Sequence, residues 1–440
     1  MKIKKILIGL FLTLFAFIFL SEPALAFCGF YVAKADTDLY NQASEVIIAR
    51  DGERTVLTMA NDYQGDVKDF ALVVPVPVIL EEDQVHIADP KIIERLDDFS
   101  APRLVEYFDE NPCQIYSRAT IESAMQAPAP SAAMRGDVAE ASLGVTIESR
   151  FSVGEYDILI LSAKESNGLE TWLRQNDYKM PEGASNLLQP YIRQGMKFFV
   201  AKVNLEEFNQ SEYELLRPLM MAYESPRFML PIRLGMTNAK GEQDLIVYLL
   251  SPKGQTELTN YRTVQVPSNV DIPEFVQSEF ADFYSSMFQT AYQKEGKRVA
   301  FVEYAWDMGS CDPCSAQPLN PDELRKAGVF WVTPNSRQNV FITRLHVRYT
   351  RDKFPEDLRF QETSNRQLFQ GRYVIRHPYR GEVECEAGRQ YQQTVKQRQE
   401  EEAQTLARLT GWNIQNIRQK INFLEVKSES RPWWRNLWTF

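Results

Sequence analysis

The amino-terminal segment constrains this chain more than any other feature, because it predicts the compartment in which the rest must fold. Three lysines within the first five residues precede an apolar run over residues 6–20 and the small-x-small cleavage site Ala24-Leu25-Ala26. The apolar run is shorter than the roughly 20 residues of a membrane-spanning helix, so we favour a cleaved signal peptide over an uncleaved anchor. We expect cleavage after Ala26 and export, which makes the mature protein periplasmic or extracellular.

Export gives the cysteines a particular meaning, since disulfides form and persist in oxidising compartments. The five cysteines are Cys28, Cys113, Cys311, Cys314 and Cys385. Two bridges among five thiols leave one thiol free. Bridges within the first and within the last part of the chain are the simplest expectation, which pairs Cys28 with Cys113, and Cys385 with Cys311 or Cys314.

The Cys-x-x-Cys motif at residues 311–314 has the spacing of a redox dithiol, in which a helix amino terminus lowers the pKa of one thiol. The next helix signal, Asn320-Pro321, comes well after the second cysteine, so we favour a structural disulfide. Two alternatives stay open. One is a redox-active dithiol, and the other is a metal site that Cys385 and His377 would complete as a three-cysteine, one-histidine set.

Composition places the chain among ordinary globular proteins. Hydrophobic residues make up 44% of the 440 residues and charged residues 25%, values that exclude a disordered or collagen-like chain. The formal net charge of -10 argues against nucleic-acid binding, which needs clustered positive charge. The expected organisation is a signal peptide (1–26), an amino-terminal α+β region (27–123), a flexible Ala/Pro linker (124–141), a middle α+β unit (142–265) and a carboxy-terminal α+β region with a helical tail (266–440).

Short-range patterns predict an α+β fold with antiparallel or mixed sheets packed against helices, a strand–helix–helix–strand middle unit and a helical carboxy-terminal tail. Residues 45–50 and 54–59 are predicted strands, and Asp51-Gly52 between them is a hairpin turn signal. The middle unit combines strands at 156–161 and 198–203 with helices at 165–175 and 184–194. The other predicted helices cover residues 91–96, 102–108, 272–293 and 389–421, the last with a break at Gly411.

One candidate site comes from basic residues on two predicted strands. Arg344, His346 and Arg348 alternate along one strand and share a face, and Arg372 and Arg376 do the same on a later strand. If the two strands were neighbours, four guanidinium groups would form an anion-binding face for a carboxylate or a phosphate. The alternative is a solvated face whose charge is balanced by Glu382, Glu384 and Glu386.

Motifs of common enzymes are absent from the sequence. It contains no G-x-S-x-G, H-E-x-x-H or G-x-G-x-x-G motif, no phosphate loop, and only three histidines. The acidic residues 36–38 and 81–83 lack the ligand spacing of a calcium loop, so we interpret them as solvated acidic loops. We expect no cofactor.

The last ten residues hold three tryptophans, Trp433, Trp434 and Trp438, together with the basic residues Arg431 and Arg435. Aromatic rings with one wet edge are favoured at a membrane interface, so peripheral membrane contact is one hypothesis for this tail. A tail packed on its own domain is the alternative.

Several segments in combination resemble an uncharacterised bacterial secreted family, domain of unknown function 2330. The resembling segments are residues 28–30, 74–77, 101–108, 154–157, 178–184, 304–306, 311–314, 343–349 and 369–373. The resemblance implies export and a shared fold, and it implies no activity.

The sequence thus predicts a non-enzymatic exported protein that binds or organises an envelope partner or a small anionic ligand. The alternative is a thiol–disulfide or metal-dependent enzyme that uses Cys311 and Cys314. Whether the chain is an enzyme stays open, with the balance against it.

Overall fold

The protein is described from a computed structural model, which covers residues 30–31, 40–64, 71–113, 145–175, 184–210, 216–237, 241–311, 316–333 and 339–425. Several sequence-based predictions lie outside the described residues. These are the signal peptide 1–26, the linker 124–141, the tail tryptophans, the acidic residues 36–38, Cys28 and Cys314.

Helices and strands both contribute to the described part of the chain, which confirms the predicted α+β class. The helices are α1 (Lys91–Ser100), α2 (Ser166–Gln175), α3 (Ala184–Arg193), α4 (Leu205–Gln210), α5 (Phe280–Lys294), α6 (Pro321–Lys326), α7 (Glu386–Thr410) and α8 (Ile414–Lys420). The strands are β1 (Phe30–Tyr31), β2 (Tyr40–Asp51), β3 (Arg54–Gln64), β4 (Ala71–Val76), β5 (Val85–Ile87), β6 (Arg103–Phe108), β7 (Val145–Val153), β8 (Tyr156–Ala163), β9 (Lys197–Val203), β10 (Leu219–Glu224), β11 (Met229–Leu230), β12 (Gln243–Ser251), β13 (Thr256–Leu258), β14 (Arg262–Gln265), β15 (Val270–Ile272), β16 (Val299–Asp307), β17 (Phe341–Tyr349), β18 (Leu358–Glu362), β19 (Phe369–Gln370) and β20 (Arg372–His377).

The largest sheet has nine strands in the order β14-β16-β17-β12-β2-β3-β10-β5, with β19 also paired to β16. Most neighbours are antiparallel, but β12 pairs with β2, and β14 with β16, in parallel. The predicted hairpin is confirmed by the antiparallel pairing of β2 with β3. Gly52 in its turn has a φ of 64°, a conformation that glycine adopts without a steric clash.

A second, antiparallel sheet packs against the inner face of this central sheet. Its order is β1-β4-β9-β8-β7, and β8 and β9 are the neighbouring strands of the predicted strand–helix–helix–strand unit. Ile158 and Phe199 of the second sheet share one apolar core with Val46 and Leu245 of the central sheet. Burial of apolar surface between the two sheets is the main favourable contribution to the free energy of folding.

Helices cover the outer faces of both sheets. Helices α2 and α3 pack on the second sheet through Leu173 and Tyr191, and α1 and α6 pack on the central sheet through Leu96 and Leu324. The result is a four-layer arrangement of helices, sheet, sheet and helices. Strands buried on both faces explain near-continuous apolar runs such as that of β12.

A small parallel sheet, β15-β20-β6, carries the carboxy-terminal helices. Its core combines Ile375 of the sheet with Phe283 of α5, Leu406 of α7 and Ile417 of α8. The predicted break is confirmed, because α7 ends at Gly411, whose φ is 75°. A further small sheet has the order β11-β18-β13. No helix within the described ranges is both long enough and apolar enough to cross a membrane.

Two predicted helices are wrong in whole or in part. Residues 103–108 form β6, because they pair in parallel register with β20. In the segment 272–293, the α-helix begins only at Phe280, since Pro273 is extended and residues 274–279 form a 3-10 helix. Strand pairing and a proline outweigh the local helical pattern in these places.

Candidate functional site

The five basic residues expected to form an anion-binding face lie in two different sheets. Arg344, His346 and Arg348 belong to β17 in the central sheet, whereas Arg372 and Arg376 belong to β20 in the small parallel sheet. The expectation that the two strands are neighbours is therefore wrong, and the four guanidinium groups do not share a face.

Arg344 is buried and held by carboxylates on two sides. Its Nε lies 2.6 Å from Oε2 of Glu303, and its Nη1 lies 2.6 Å from Oδ1 of Asp97 on helix α1. Its Nη1 also donates to the hydroxyl of Tyr248 at 3.3 Å. A buried guanidinium needs such partners, because the loss of hydration costs several kcal/mol per ion.

His346 lies between two carboxylates beneath helix α5. Its Nδ1 is 2.7 Å from Oε1 of Glu303, and its Nε2 is 3.0 Å from Oδ1 of Asp244. Its ring stacks on Phe288 with 3.9 Å between ring centroids. Burial alone would lower the pKa of His346, but the two carboxylates outweigh burial and raise it to about 9. Both ring N–H groups of the charged form therefore donate.

Arg348 completes the row along β17. Its Nε and Nη2 donate to the two carboxylate oxygens of Asp244 at 2.8 and 2.7 Å, a bidentate pair. Its Nη1 donates to Oε1 of Gln289 on α5 at 2.6 Å. Burial would raise the pKa of Asp244, but hydrogen bonds from His346 and Arg348 hold it well below its ordinary value.

Glu303 is the centre of this network, and sequence reasoning missed it. The register between β16 and β17 shifts between Val302 and Tyr304, and such a bulge changes where the side chains point. Burial would raise the pKa of Glu303, but its basic neighbours on β17 lower it to about 2, and Tyr284 donates to it as well. A lone acid within the apolar run 299–305 was the sequence signal that could have identified it.

The row on β17 is thus a closed charge network rather than an open anion site. The three basic groups are matched by three carboxylates, Asp97, Glu303 and Asp244. Within the described ranges, the carboxylates paired with β17 are therefore not those of Glu382, Glu384 and Glu386, the expected source of balancing charge. An added anion would have to displace a carboxylate that is already well bonded. The arrangement is suited to fixing the positions of α1 and α5 on the central sheet.

The basic residues of β20 meet different partners. Arg372 Nε donates to Asn269 at 2.9 Å, and Arg376 Nε lies 3.0 Å from Asp271. His377, the next residue, has its Nε2 2.7 Å from Glu106 Oε2, and Phe108 stacks on its ring. These are local pairs at the surface of the small parallel sheet.

The expected cysteine pairing is corrected by the structure. Cys113 and Cys385 form a disulfide with 5.8 Å between their Cα atoms, across 272 residues of sequence. The predicted pairs of Cys28 with Cys113, and of Cys385 with Cys311 or Cys314, are therefore wrong. The bridge joins the segment after β6 to the residue that caps α7, and parallel pairing of β6 with β20 brings these two segments together.

Cys311 is also disulfide-bonded, and its partner lies outside the described residues. Its side chain is half-buried against the core beneath α1 and α6. Cys385 is unable to serve as a thiolate ligand while it is bonded to Cys113, which removes it from the metal set considered above. Within the described ranges, no group of three or more His, Cys, Asp or Glu side chains is arranged to hold a metal ion.

The acidic residues 81–83 belong to structured chain. Glu82–Gln84 form a short 3-10 helix, and Glu81 accepts a hydrogen bond from Ser149 at 3.2 Å. The segment that precedes β5 is thus connected to strand β7 by this side-chain hydrogen bond.

A groove of about 540 Å³ opens between helix α5 and helix α8, on the side of the carboxy-terminal helices. This volume lies within the roughly 300–1,000 Å³ typical of small-molecule sites. Sequence reasoning missed this site, because its two walls are more than a hundred residues apart in the chain. The lining residues are Phe275, Glu279, Asp282, Ser285, Ser286, Trp412, Asn413, Asn416, Ile417 and Lys420.

The lining of the groove mixes apolar and hydrogen-bonding groups. Ile417 is buried at its base, and Trp412 donates from its indole nitrogen to Ser286 at 3.0 Å. Lys420 lies 2.7 Å from the carboxylate of Glu279, so these two charges neutralise each other. The groove therefore combines a fixed aromatic wall with a polar rim.

A protein-family model matches most of the chain. The model of a family described as an uncharacterized protein conserved in bacteria, DUF2330, matches residues 22–361. The matched region contains β17 and helix α5 but ends before Cys385 and helix α8. Neither a curated protein nor a solved structure matches the chain.

Proposed function

The chain belongs to DUF2330, a family of uncharacterised bacterial proteins, and we propose that it acts as an exported, non-enzymatic binding or structural module of the cell envelope. The proposal has two parts, a localisation and a role. The proposed localisation is the periplasm or the extracellular space, reached after signal cleavage at Ala26. The role is to bind or organise another envelope component.

The disulfide between Cys113 and Cys385 is the observation that supports the proposed localisation. Structural disulfides persist in oxidising compartments and are rare in the bacterial cytosol. In the chain-entropy model a loop of this length stabilises the folded state by about 5 kcal/mol. A disulfide that stabilises the fold this strongly supports folding after export. It agrees with the amino-terminal lysines and the small-x-small cleavage site of the sequence.

The closed network on β17 supports the non-enzymatic role. Catalytic sites hold groups that are free to bind a substrate or to exchange a proton. Here Arg344, His346 and Arg348 are all engaged by carboxylates within the protein. Their geometry serves the attachment of helices α1 and α5, which is a structural task.

The thiol–disulfide alternative requires an accessible thiol of low pKa in the Cys-x-x-Cys motif. Cys311 is disulfide-bonded, as it would be both in a structural bridge and in an oxidised redox pair, but it is half-buried against an apolar core, which restricts access to its sulfur. This environment favours a structural bridge over a redox centre, so the non-enzymatic role is the better supported of the two.

The test is to express the full chain in a bacterial host, fractionate the cells and measure the intact mass of the product. We expect exported protein that begins at Phe27, with a Cys113–Cys385 peptide pair under non-reducing digestion. A cytosolic product that keeps Met1 and has free thiols at Cys113 and Cys385 would refute the proposed localisation. A Cys311→Ser/Cys314→Ser variant that loses a measurable disulfide-reductase activity would refute the non-enzymatic role.

A further inference from the structure

We propose that the groove between helices α5 and α8 binds a neutral oligosaccharide. This inference rests on the proposed function and deepens it, since it names the class of ligand that the binding module takes. The groove, and not the basic residues of β17, is then the binding surface of the protein.

The first reason is the apolar wall. Trp412 lines the groove and Ile417 forms its buried base, whereas the ring of Phe275 is covered by the ammonium of Lys420, 5.3 Å from its centroid. Trp412 is therefore the aromatic surface offered to a ligand. A sugar ring presents C–H groups on one face, and this face packs on an aromatic side chain while the ring hydroxyls stay free. The hydrogen bond from Trp412 to Ser286 holds the indole in one position before any ligand arrives, which lowers the entropy cost of binding.

The second reason is the unused polar rim. Asp282, Ser285 and Asn416 line the groove, and their side chains make no hydrogen bond or ion pair within the described part of the chain. A carboxylate, a hydroxyl and an amide together offer both donors and acceptors. Hydroxyl groups around a sugar ring also donate and accept, so the two sets are complementary.

The third reason is the charge of the groove. Glu279 and Lys420 form an ion pair, so Asp282 is the charge left unmatched among the lining residues. A single carboxylate disfavours phosphate and carboxylate ligands through like-charge repulsion, whereas it accepts hydrogen bonds from neutral hydroxyls. A neutral glycan therefore fits this lining better than the small anion expected from the arginines.

The groove also has the size for such a ligand. Its volume of about 540 Å³ is in the range of sites for drug-sized molecules, and it is open along one side. An open groove lets a chain of sugars continue past the bound rings. A glycan strand of the envelope and a short soluble oligosaccharide share the same chemistry at this surface.

The experiment presents the purified mature chain to a microarray of neutral and acidic oligosaccharides, followed by calorimetric titration of the best soluble glycan. A second arm measures retention on purified, insoluble cell-wall sacculi at high salt, which screens contacts with their charged peptides. We expect binding to neutral glycans. Retention on sacculi at high salt that Asp282→Ala abolishes identifies an envelope source for the glycan, and soluble binding without such retention identifies a free oligosaccharide.

The variants Asp282→Ala and Asn416→Ala test whether the groove is the site. Both side chains are exposed and unbonded, so we expect an unchanged far-UV circular dichroism spectrum and an affinity at least about tenfold weaker for Asp282→Ala. Glu94→Ala on α1 and Gln415→Ala on α8 are matched controls outside the groove, and both should bind like the parent chain.

Three results would overturn the inference: no binding to any glycan, binding to acidic glycans alone, or binding that Asp282→Ala and Asn416→Ala leave unchanged. Each of these leaves the export experiment untouched, since signal cleavage and the Cys113–Cys385 pair are measured without a ligand. Failure of export would instead refute the proposed function while glycan binding could still be recorded.

Discussion

Glu303 and Glu402 are buried to nearly the same degree, with 1% and 5% of each residue exposed, yet their pKa values move in opposite directions. The pKa of Glu303 falls to about 2, because positive groups of β17 outweigh burial. The pKa of Glu402 rises to about 8, because burial dominates over the attraction of Arg398. Burial alone therefore does not decide the charge of an acid in this protein.

The difference lies in how many donors each carboxylate receives. Glu303 accepts hydrogen bonds from three side chains of neighbouring elements. Glu402 lies on α7, where its Oε1 has no hydrogen bond in the described structure and is 3.5 Å from Arg398 Nε. Arg398 is engaged by Asp109 at 2.7 Å, and Asp271 and Glu274 add like charge.

The central sheet is therefore held by an ionic network whose charges are paired. The attachment of α7 instead contains Glu402, a buried acid whose neutral form is the more stable one. The two regions should respond differently to substitution and to pH. Four experiments test this comparison.

The largest effect is expected from Arg344→Met. This change leaves Glu303 buried with one fewer positive partner, and breaking a buried pair typically costs about 3–5 kcal/mol. Urea unfolding monitored by circular dichroism measures the loss. Arg325→Met, which removes an exposed pair on α6, is the control and should change stability by less than about 1 kcal/mol. A loss of the same size in both variants would contradict a buried network.

Removal of the long-range bridge comes next. Cys385→Ser should lower the free energy of unfolding by about 2–5 kcal/mol, since the denatured chain gains the entropy of a large open loop. Thiol titration should reveal a new free thiol at Cys113. The Cys113→Ser/Cys385→Ser double variant should be no less stable than the single variant, because one bond is lost in each case. A normal melting curve for Cys385→Ser would show that the bridge is not formed.

The third experiment uses pH to probe His346. Its pKa is raised from 6.5 to about 9 in the folded state, so the native state holds more protons than the unfolded state between these values. The stabilisation is complete below about pH 6.5 and is lost as the pH rises through 9. We expect His346→Gln to remove about 2–3 kcal/mol at pH 6 and much less at pH 9.5. Unfolding curves at both values measure this, and a pH-independent loss would mean that the imidazole is neutral.

The smallest effect is expected from Glu402→Gln, and its sign is opposite. A carboxyl whose pKa rises from 4.5 to about 8 weakens the fold as the pH rises from 4.5 through 8, because ionisation is unfavourable in the folded state. The neutral amide should therefore stabilise the protein by about 1–2 kcal/mol at pH 8 and change little at pH 4. Glu401→Gln, an exposed neighbour, should do neither. A destabilising Glu402→Gln at pH 8 would show that the pair with Arg398 outweighs burial.

The family match covers the region around Glu303 but not the region around Glu402. The match to residues 22–361 includes the network on β17 and the α5 wall of the groove. Cys385, Glu402 and the α8 wall lie beyond it. The family match thus covers most of the central sheet, but it does not by itself imply the bridge or the groove.

Local patterns by themselves determined the elements whose signals are local. Asp51-Gly52 predicted the hairpin of β2 and β3, because a turn that favours glycine forms from neighbouring residues alone. The break at Gly411 and the strand–helix–helix–strand unit around α2 and α3 were predicted for the same reason. The resemblance to the family also rested on short segments read directly from the sequence.

Tertiary structure decided everything that depends on distant partners. Residues 103–108 became a strand only because β20 lies beside them, and that pairing in turn placed Cys113 next to Cys385. A bulge in β16 and the pairing of β16 with β17 made Glu303 the partner of two basic groups. The charge state of a buried side chain depends on which groups surround it in space, and sequence spacing does not specify those groups across hundreds of residues. The groove between α5 and α8 arose in the same way, from two helices that only packing brings together.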